Sequence, residues 1–346
     1  MSLITYLTRV HFADNVLEDA LSVEIARHRI RRPLIISDVD ATGSEELERL
    51  FHALPTSVSP VPFVAGSALD STKTHARAHR LLARNECDAL IGFGGMDALD
   101  LVRLLGDADH PVITIPTRTE TIGLGPLGVR SALVPGKRPE LPVAILCDAT
   151  LTLSASPAAT AAAGLDALVH CLESFLSTAF NPPADGIALD GLRRAALHLE
   201  AAVKDGQDIT ARRELLAVAL NAGLASDKGY GGVEAASNGL QSAAKVPHGA
   251  LHGALLTEVL TFNTPAVSDR FALISTALGL PARISIADHL ASLVERIGLQ
   301  RRLSKIGIKA HHLEQAARQA AADPANRTNP RLATADDYET MMRAAF

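Results

Sequence analysis

The first 150 residues alternate short, continuous apolar runs with longer stretches whose apolar positions recur every three or four residues. "PLIISD" (Pro33–Asp38), "ALIGFGG" (Ala89–Gly95), "PVITIPT" (Pro111–Thr117) and "VAILCD" (Val143–Asp148) are rich in Val and Ile and end in turn or cap residues. Each predicts a strand covered on both faces. Between them, "SEELERLFHAL" and "DSTKTHARAHRLLARN" have the spacing of amphipathic helices. That alternation predicts a parallel sheet layered with helices, a Rossmann-like α/β domain. After Asp148 the β-type runs stop. From about Ser156 to Phe346 helical patterns follow one another, broken by "NPP", "GYGG", "VPHG" and "NPR". The expected architecture is an α/β domain over residues 1–153 and an all-helical domain over 154–346. Ligands of an open parallel sheet sit at the carboxyl ends of its strands, where "GFGGMD" and "PTRTET" fall. A cleft between domains is the other favoured position.

Two helical stretches carry the candidate chemistry. In "GLDALVHCLESF" (Gly164–Phe175), Asp166 and His170 lie one helical turn apart and share a face. That spacing alone fits half of a metal site or an ordinary polar notch. Downstream, "VEAASNGLQSAAKVPHGALHGALL" (Val233–Leu256) carries Glu234, Asn238, His248 and His252.

Composition narrows the function classes. A chain of 346 residues, 47% hydrophobic and 21% charged, can bury a core in each of two domains. A net charge of −5 gives no footprint for nucleic acid or an anionic membrane. Cys87, Cys147 and Cys171 do not pair evenly and have no metal-type spacing, which points to a reducing cytoplasm. The opening "MSLITYLTRVHF" lacks the apolar core of a signal peptide, and no apolar run of about 18 residues predicts a membrane span. The expected partner is a small-molecule substrate, not a membrane or a nucleic acid.

Taken together, the two helical motifs resemble the iron-containing alcohol dehydrogenases, within the wider group that has a dehydroquinate synthase-like fold. The short length and the ending "DPANRTNPRLATADDYETMMRAAF" look closest to the maleylacetate reductase branch. The resemblance implies a divalent metal, Fe²⁺ or Zn²⁺, held by Asp166, His170 and His248, with Glu234 standing where the family has a third histidine. Asn238 falls on a family histidine near the reacting centre. His252 matches a maleylacetate reductase histidine, and both are candidate catalytic residues, His252 as a proton donor.

The cofactor loops match less closely. Gly92, Gly94 and Gly95 keep the family's strand-to-helix glycine turn, but Met96 and Asp97 replace the Gly and Ser that follow. Asp97 also reads as a helix N-cap, placing a negative charge where pyrophosphate should approach. Asp100 and Thr117 match family positions, whereas Arg118, Glu120 and Ile122 do not. Asp38 matches an acid that hydrogen-bonds the adenosine ribose and repels a 2′-phosphate. The implied cofactor is NAD(H) in preference to NADP(H), held weakly. The implied protein is a metal-dependent, NAD(H)-linked oxidoreductase interconverting an alcohol and a carbonyl, assembled as a homodimer. The altered loops leave two alternatives, non-redox metal-assisted chemistry and a non-catalytic partner role.

Overall fold

The computed structural model describes residues 8–66, 71–124, 139–241, 243, 246–281 and 283–346. The described residues form two compact units, one within 8–118 and 122–154, the other within 119–121 and 155–346.

Among the described residues, the first unit contains six parallel strands: β1 (Arg9–Phe12), β2 (Pro33–Asp38), β3 (Val61–Ala65), β4 (Ala89–Gly94), β5 (Val112–Pro116) and β6 (Ala144–Cys147). Their order across the sheet is β1-β6-β5-β4-β2-β3. Helices α1 (Leu17–His28), α2 (Glu45–Ala53), α3 (Ser71–Arg84) and α4 (Met96–Leu105) cover it. Successive strand residues point to opposite faces, so the continuous apolar runs feed two separate cores. Ile35, Ile91, Phe93, Ile113 and Ile115 pack with Leu17, Leu21 and Ile25 of α1 and Leu50 of α2. Leu34, Ile36, Leu90 and Val112 pack with Ala78 and Leu82 of α3 and Ala98, Val102 and Leu105 of α4.

The four strands expected from Val/Ile runs are β2, β4, β5 and β6. The two unexpected ones, β1 ("RVHF") and β3 ("VPFVA"), lie at the sheet edges. Edge strands are half covered, so they carry exposed polar residues or a mid-strand proline that the interior of a central strand excludes. From β2 the chain steps outward to β3 and then returns to β4 on the other side of β2. The strand order therefore reverses between β2 and β4, and Asp38 and Gly94 end the two strands that flank this reversal.

The second unit is helical: α5 (Pro157–Leu176), α6 (Pro182–Lys204), α7 (Ile209–Ala225), α8 (Gly232–Leu240), α9 (His248–Ala277), α10 (Ile286–Arg296), α11 (Leu313–Ala322) and α12 (Ala335–Ala344). Ser156 caps α5 by accepting from the Ala159 amide, with Pro157 opening its first turn. Every residue of α5 from Thr160 to Leu176 is buried, and it packs against α6, α7 and α9. By length and composition alone α5 could cross a membrane, although Asp166, His170 and Glu173 interrupt its apolar run. It is instead a core helix, with 94% of its apolar window buried inside the protein. The three cysteines are buried and unpaired.

Candidate metal centre

One face of α5 presents Asp166, His170 and Glu173, spaced by four and three residues. The first turns of α9 present His248 and His252, and α8 presents Glu234. The helices bring these groups together. Asp166, His170 and His252 are at most 3% exposed, while His248 is 7% and Glu234 8% exposed. His170 Nε2 lies 2.9 Å from Glu234 Oε2, and His252 Nε2 lies 3.3 Å from the same oxygen. His248 Nδ1 lies 3.0 Å from Asp166 Oδ1. Three imidazoles are thus bracketed by two carboxylates.

The electrostatics follow from that bracket. Burial pushes the Asp166 and Glu234 carboxyls up, but the imidazoles facing them outweigh it and hold both well below the usual carboxylate range. Burial pushes His170 down, and its two carboxylate neighbours more than reverse this. His252 goes the other way, lowered to about 4 by burial and by His248 beside it. A neutral imidazole keeps a lone pair for a metal ion.

Three groups that the sequence reading passed over support the cluster. Thr121 places its hydroxyl 2.6 Å from His170 Nδ1, and its backbone N–H donates to Asp166 Oδ2 at 3.2 Å. The ring of Tyr230 lies 4.2 Å from that of His170, centroid to centroid. Glu173 accepts from the backbone N–H groups of Gly231, Val233 and Glu234, the free amides at the start of α8. Burial raises its carboxyl to about 7. Glu173 was legible as the third member of an i, i+4, i+7 face beginning at Asp166. Thr121 had no such signal, because its loop was read as a cofactor loop. Asn238 is exposed, and its Nδ2 donates to Glu234 Oε1 at 3.1 Å and to Asp323 Oδ2 at 3.2 Å. Burial raises Asp323 to about 6.

The cofactor-loop candidates gather elsewhere, at the carboxyl ends of β2, β4 and β5. Gly94 has φ 144°, and a Cβ there would lie 2.5 Å from Asp38 Oδ2. The Thr117 amide donates to the Gly94 carbonyl at 3.0 Å. Asp38 is buried, and its carboxylate accepts from the Gly95 and Ala98 amides at 2.5 and 2.9 Å. This corrects the expected cap. Gly95 is the N-cap residue of α4, Asp97 sits within its first turn, and Asp38 reaches across from β2 to satisfy the helix amides. Asp100 is buried 4.0 Å from the Arg103 guanidinium. The second cofactor loop from residue 125 onward lies outside the described residues.

The donor set fits a divalent transition metal. One donor atom from each of Asp166, His170, His248 and His252 lies within 4.8 Å of the other three. His248 Nε2 and His252 Nδ1 are buried without a hydrogen-bond partner among the described residues. Buried polar atoms are seldom left unsatisfied, and a cation would satisfy both.

Comparison with known proteins agrees with this build. Residues 160–346 match the model of the Fe-containing alcohol dehydrogenase family, C-terminal. The chain is 31% identical to 4-hydroxybutyrate dehydrogenase of Cupriavidus necator, with 100% of each chain covered. Among solved structures, 1,3-propanediol oxidoreductase superposes with a TM-score of 0.90 at 22% identity, covering 99% of this chain and 100% of that one. Maleylacetate reductase from Agrobacterium tumefaciens superposes with a TM-score of 0.84 at 24% identity, covering 100% and 99%. An α/β unit with a parallel sheet, followed by a helical unit, is the fold these solved structures share. The chain belongs to the iron-containing alcohol dehydrogenase family and is an oxidoreductase of that family.

Proposed function

We propose that the protein interconverts an alcohol and its carbonyl, with NAD(H) as the hydride partner and a divalent metal, Fe²⁺ or Zn²⁺, in the helical unit. The observation that carries this reading is the buried bracket of Asp166, His170, Glu234 and His248, whose orphaned imidazole nitrogen calls for a cation. Asp166, His170, Glu234 and His248 would hold the ion, which when bound supplies Lewis acidity to the substrate oxygen. The chain's own residues do the rest. Thr121 and Asp166 hold the His170 and His248 rings, and Glu173 fixes the start of α8 and with it Glu234. Asn238, exposed beside Glu234, is the group at this centre that a substrate can reach, and it orients the Glu234 carboxylate.

The relative named 4-hydroxybutyrate dehydrogenase makes a short ω-hydroxy acid, with its semialdehyde, the first substrate pair to test. Asp38 supports NAD(H) over NADP(H), because its charge disfavours a 2′-phosphate at the end of β2. The same carboxylate occupies the α4 amides, which supports weak dinucleotide binding and leaves a second reading, metal-assisted chemistry without redox. The test is NADH oxidation with a panel of short aldehydes, using protein stripped of metal and then restored with Fe²⁺ or Zn²⁺. Turnover that appears only after restoration supports the proposal. Metal uptake without NADH oxidation by any aldehyde favours the second reading.

A further inference from the structure

We infer that His252 is itself a metal ligand, completing a set of three imidazoles with Asp166, and is not a proton donor. The inference rests on the metal reading above and changes its ligand shell. His252 follows His248 by one turn of α9, so the helix that delivers one ring delivers the other to the same side. The ring centroids are 4.4 Å apart, and that of His170 lies 5.0 Å from His252. Its Nδ1 is 3.6 Å from Asp166 Oδ1 and its Nε2 is 3.3 Å from Glu234 Oε2. Whichever carboxylate the ion sits against, a His252 nitrogen lies within 3.6 Å of it, as nitrogens of His170 and His248 do. Asp166 meets nitrogens of His170, His248 and His252 at 3.3, 3.0 and 3.6 Å, close enough for one ion to contact all four groups.

Burial separates the two roles. His252 is 0% exposed, so its ring has no direct access to water from which to renew a proton. Glu234, by contrast, is already engaged at both oxygens, Oε2 by His170 and His252 and Oε1 by Asn238. Three imidazoles with a carboxylate also leave the ion a larger net positive charge than two of each, preserving its Lewis acidity.

The test replaces His252 by a ligand of different colour and watches the metal, not the reaction. His252→Cys, loaded with Co²⁺, should show a thiolate-to-cobalt charge-transfer band in the near ultraviolet that the wild type lacks despite its three native cysteines. His252→Ala should bind Co²⁺ at least tenfold more weakly, with altered visible cobalt bands and an unchanged fold by circular dichroism. Cobalt bound to His252→Cys without the new band, or to His252→Ala with wild-type affinity and spectrum, overturns the assignment and returns His252 to a proton-transfer role. If the wild type itself takes up no Co²⁺, the metal reading falls and this inference falls with it.

Discussion

Thr121 makes two contacts that a metal site depends on, one to each ligand candidate of α5. Its hydroxyl meets His170 Nδ1 and its amide meets Asp166 Oδ2. Groups that orient ligating histidines in this way typically change metal affinity by about 10–100-fold when removed. Thr121→Val keeps the shape and the amide bond but loses the hydroxyl. Its affinity for Zn²⁺ by competition titration should fall about tenfold, and Thr121→Ser should recover most of the loss. Equal affinities in all three proteins would make the contact incidental. Asp38 is the second residue with a sharp expectation. Its carboxylate takes the amides of Gly95 and Ala98 that a pyrophosphate would otherwise meet. Asp38→Asn removes that charge, and NADH binding by fluorescence should tighten by about tenfold, roughly 1.4 kcal/mol, with NADPH gaining at least as much. The Met96→Gly/Asp97→Ser double variant should gain less, since Asp97 does not cap the helix. Weaker NADH binding in Asp38→Asn would instead assign the carboxylate to the ribose.

Among the elements, the crossing of α5 and α9 sets the geometry of the centre, and one glycine permits it. A Cβ on Gly249 would stand 1.9 Å from the carbonyl oxygen of Ala162. Backbone cannot move aside as a flexible side chain can, so Gly249→Ala must push the two helices apart. It should cost about 2–3 kcal/mol in urea unfolding and separate His248 from Asp166, weakening metal binding as well. A variant with wild-type stability would contradict this close packing. The same elements show what could be read beforehand. Strands β2, β4, β5 and β6 were legible because burial on both faces demands continuous Val and Ile. Edge strands β1 and β3 were not, because half-covered strands lack that demand. Asp166, His170, Glu234, His248 and His252 were visible as types and spacings along the chain. Their bracketed arrangement was not, since it depends on how α5, α8 and α9 cross. The Asp38 bond to α4 was hidden for a similar reason: it joins positions about 60 residues apart that meet only because β2 and β4 are neighbours.

At the scale of the whole molecule, the chain has the family's fold and two sites within it. One is a buried, metal-competent cluster of histidines and carboxylates, and the other a glycine turn whose helix amides are already engaged. Buried ionisable groups of this kind are costly to maintain without a use, which is why the buried set weighs toward catalysis. The central claim is metal-dependent hydride exchange with a nicotinamide cofactor. The measurement that meets it most directly follows the hydrogen itself. Metal-restored protein is supplied with NADH deuterated at both C4 positions and with short aldehydes, including the semialdehyde of 4-hydroxybutyrate. Mass spectrometry of the alcohol should then show one deuterium on the carbinol carbon, and none when the protein has been stripped of metal. Metal-loaded protein that binds NADH yet places no deuterium in any alcohol would contradict the account.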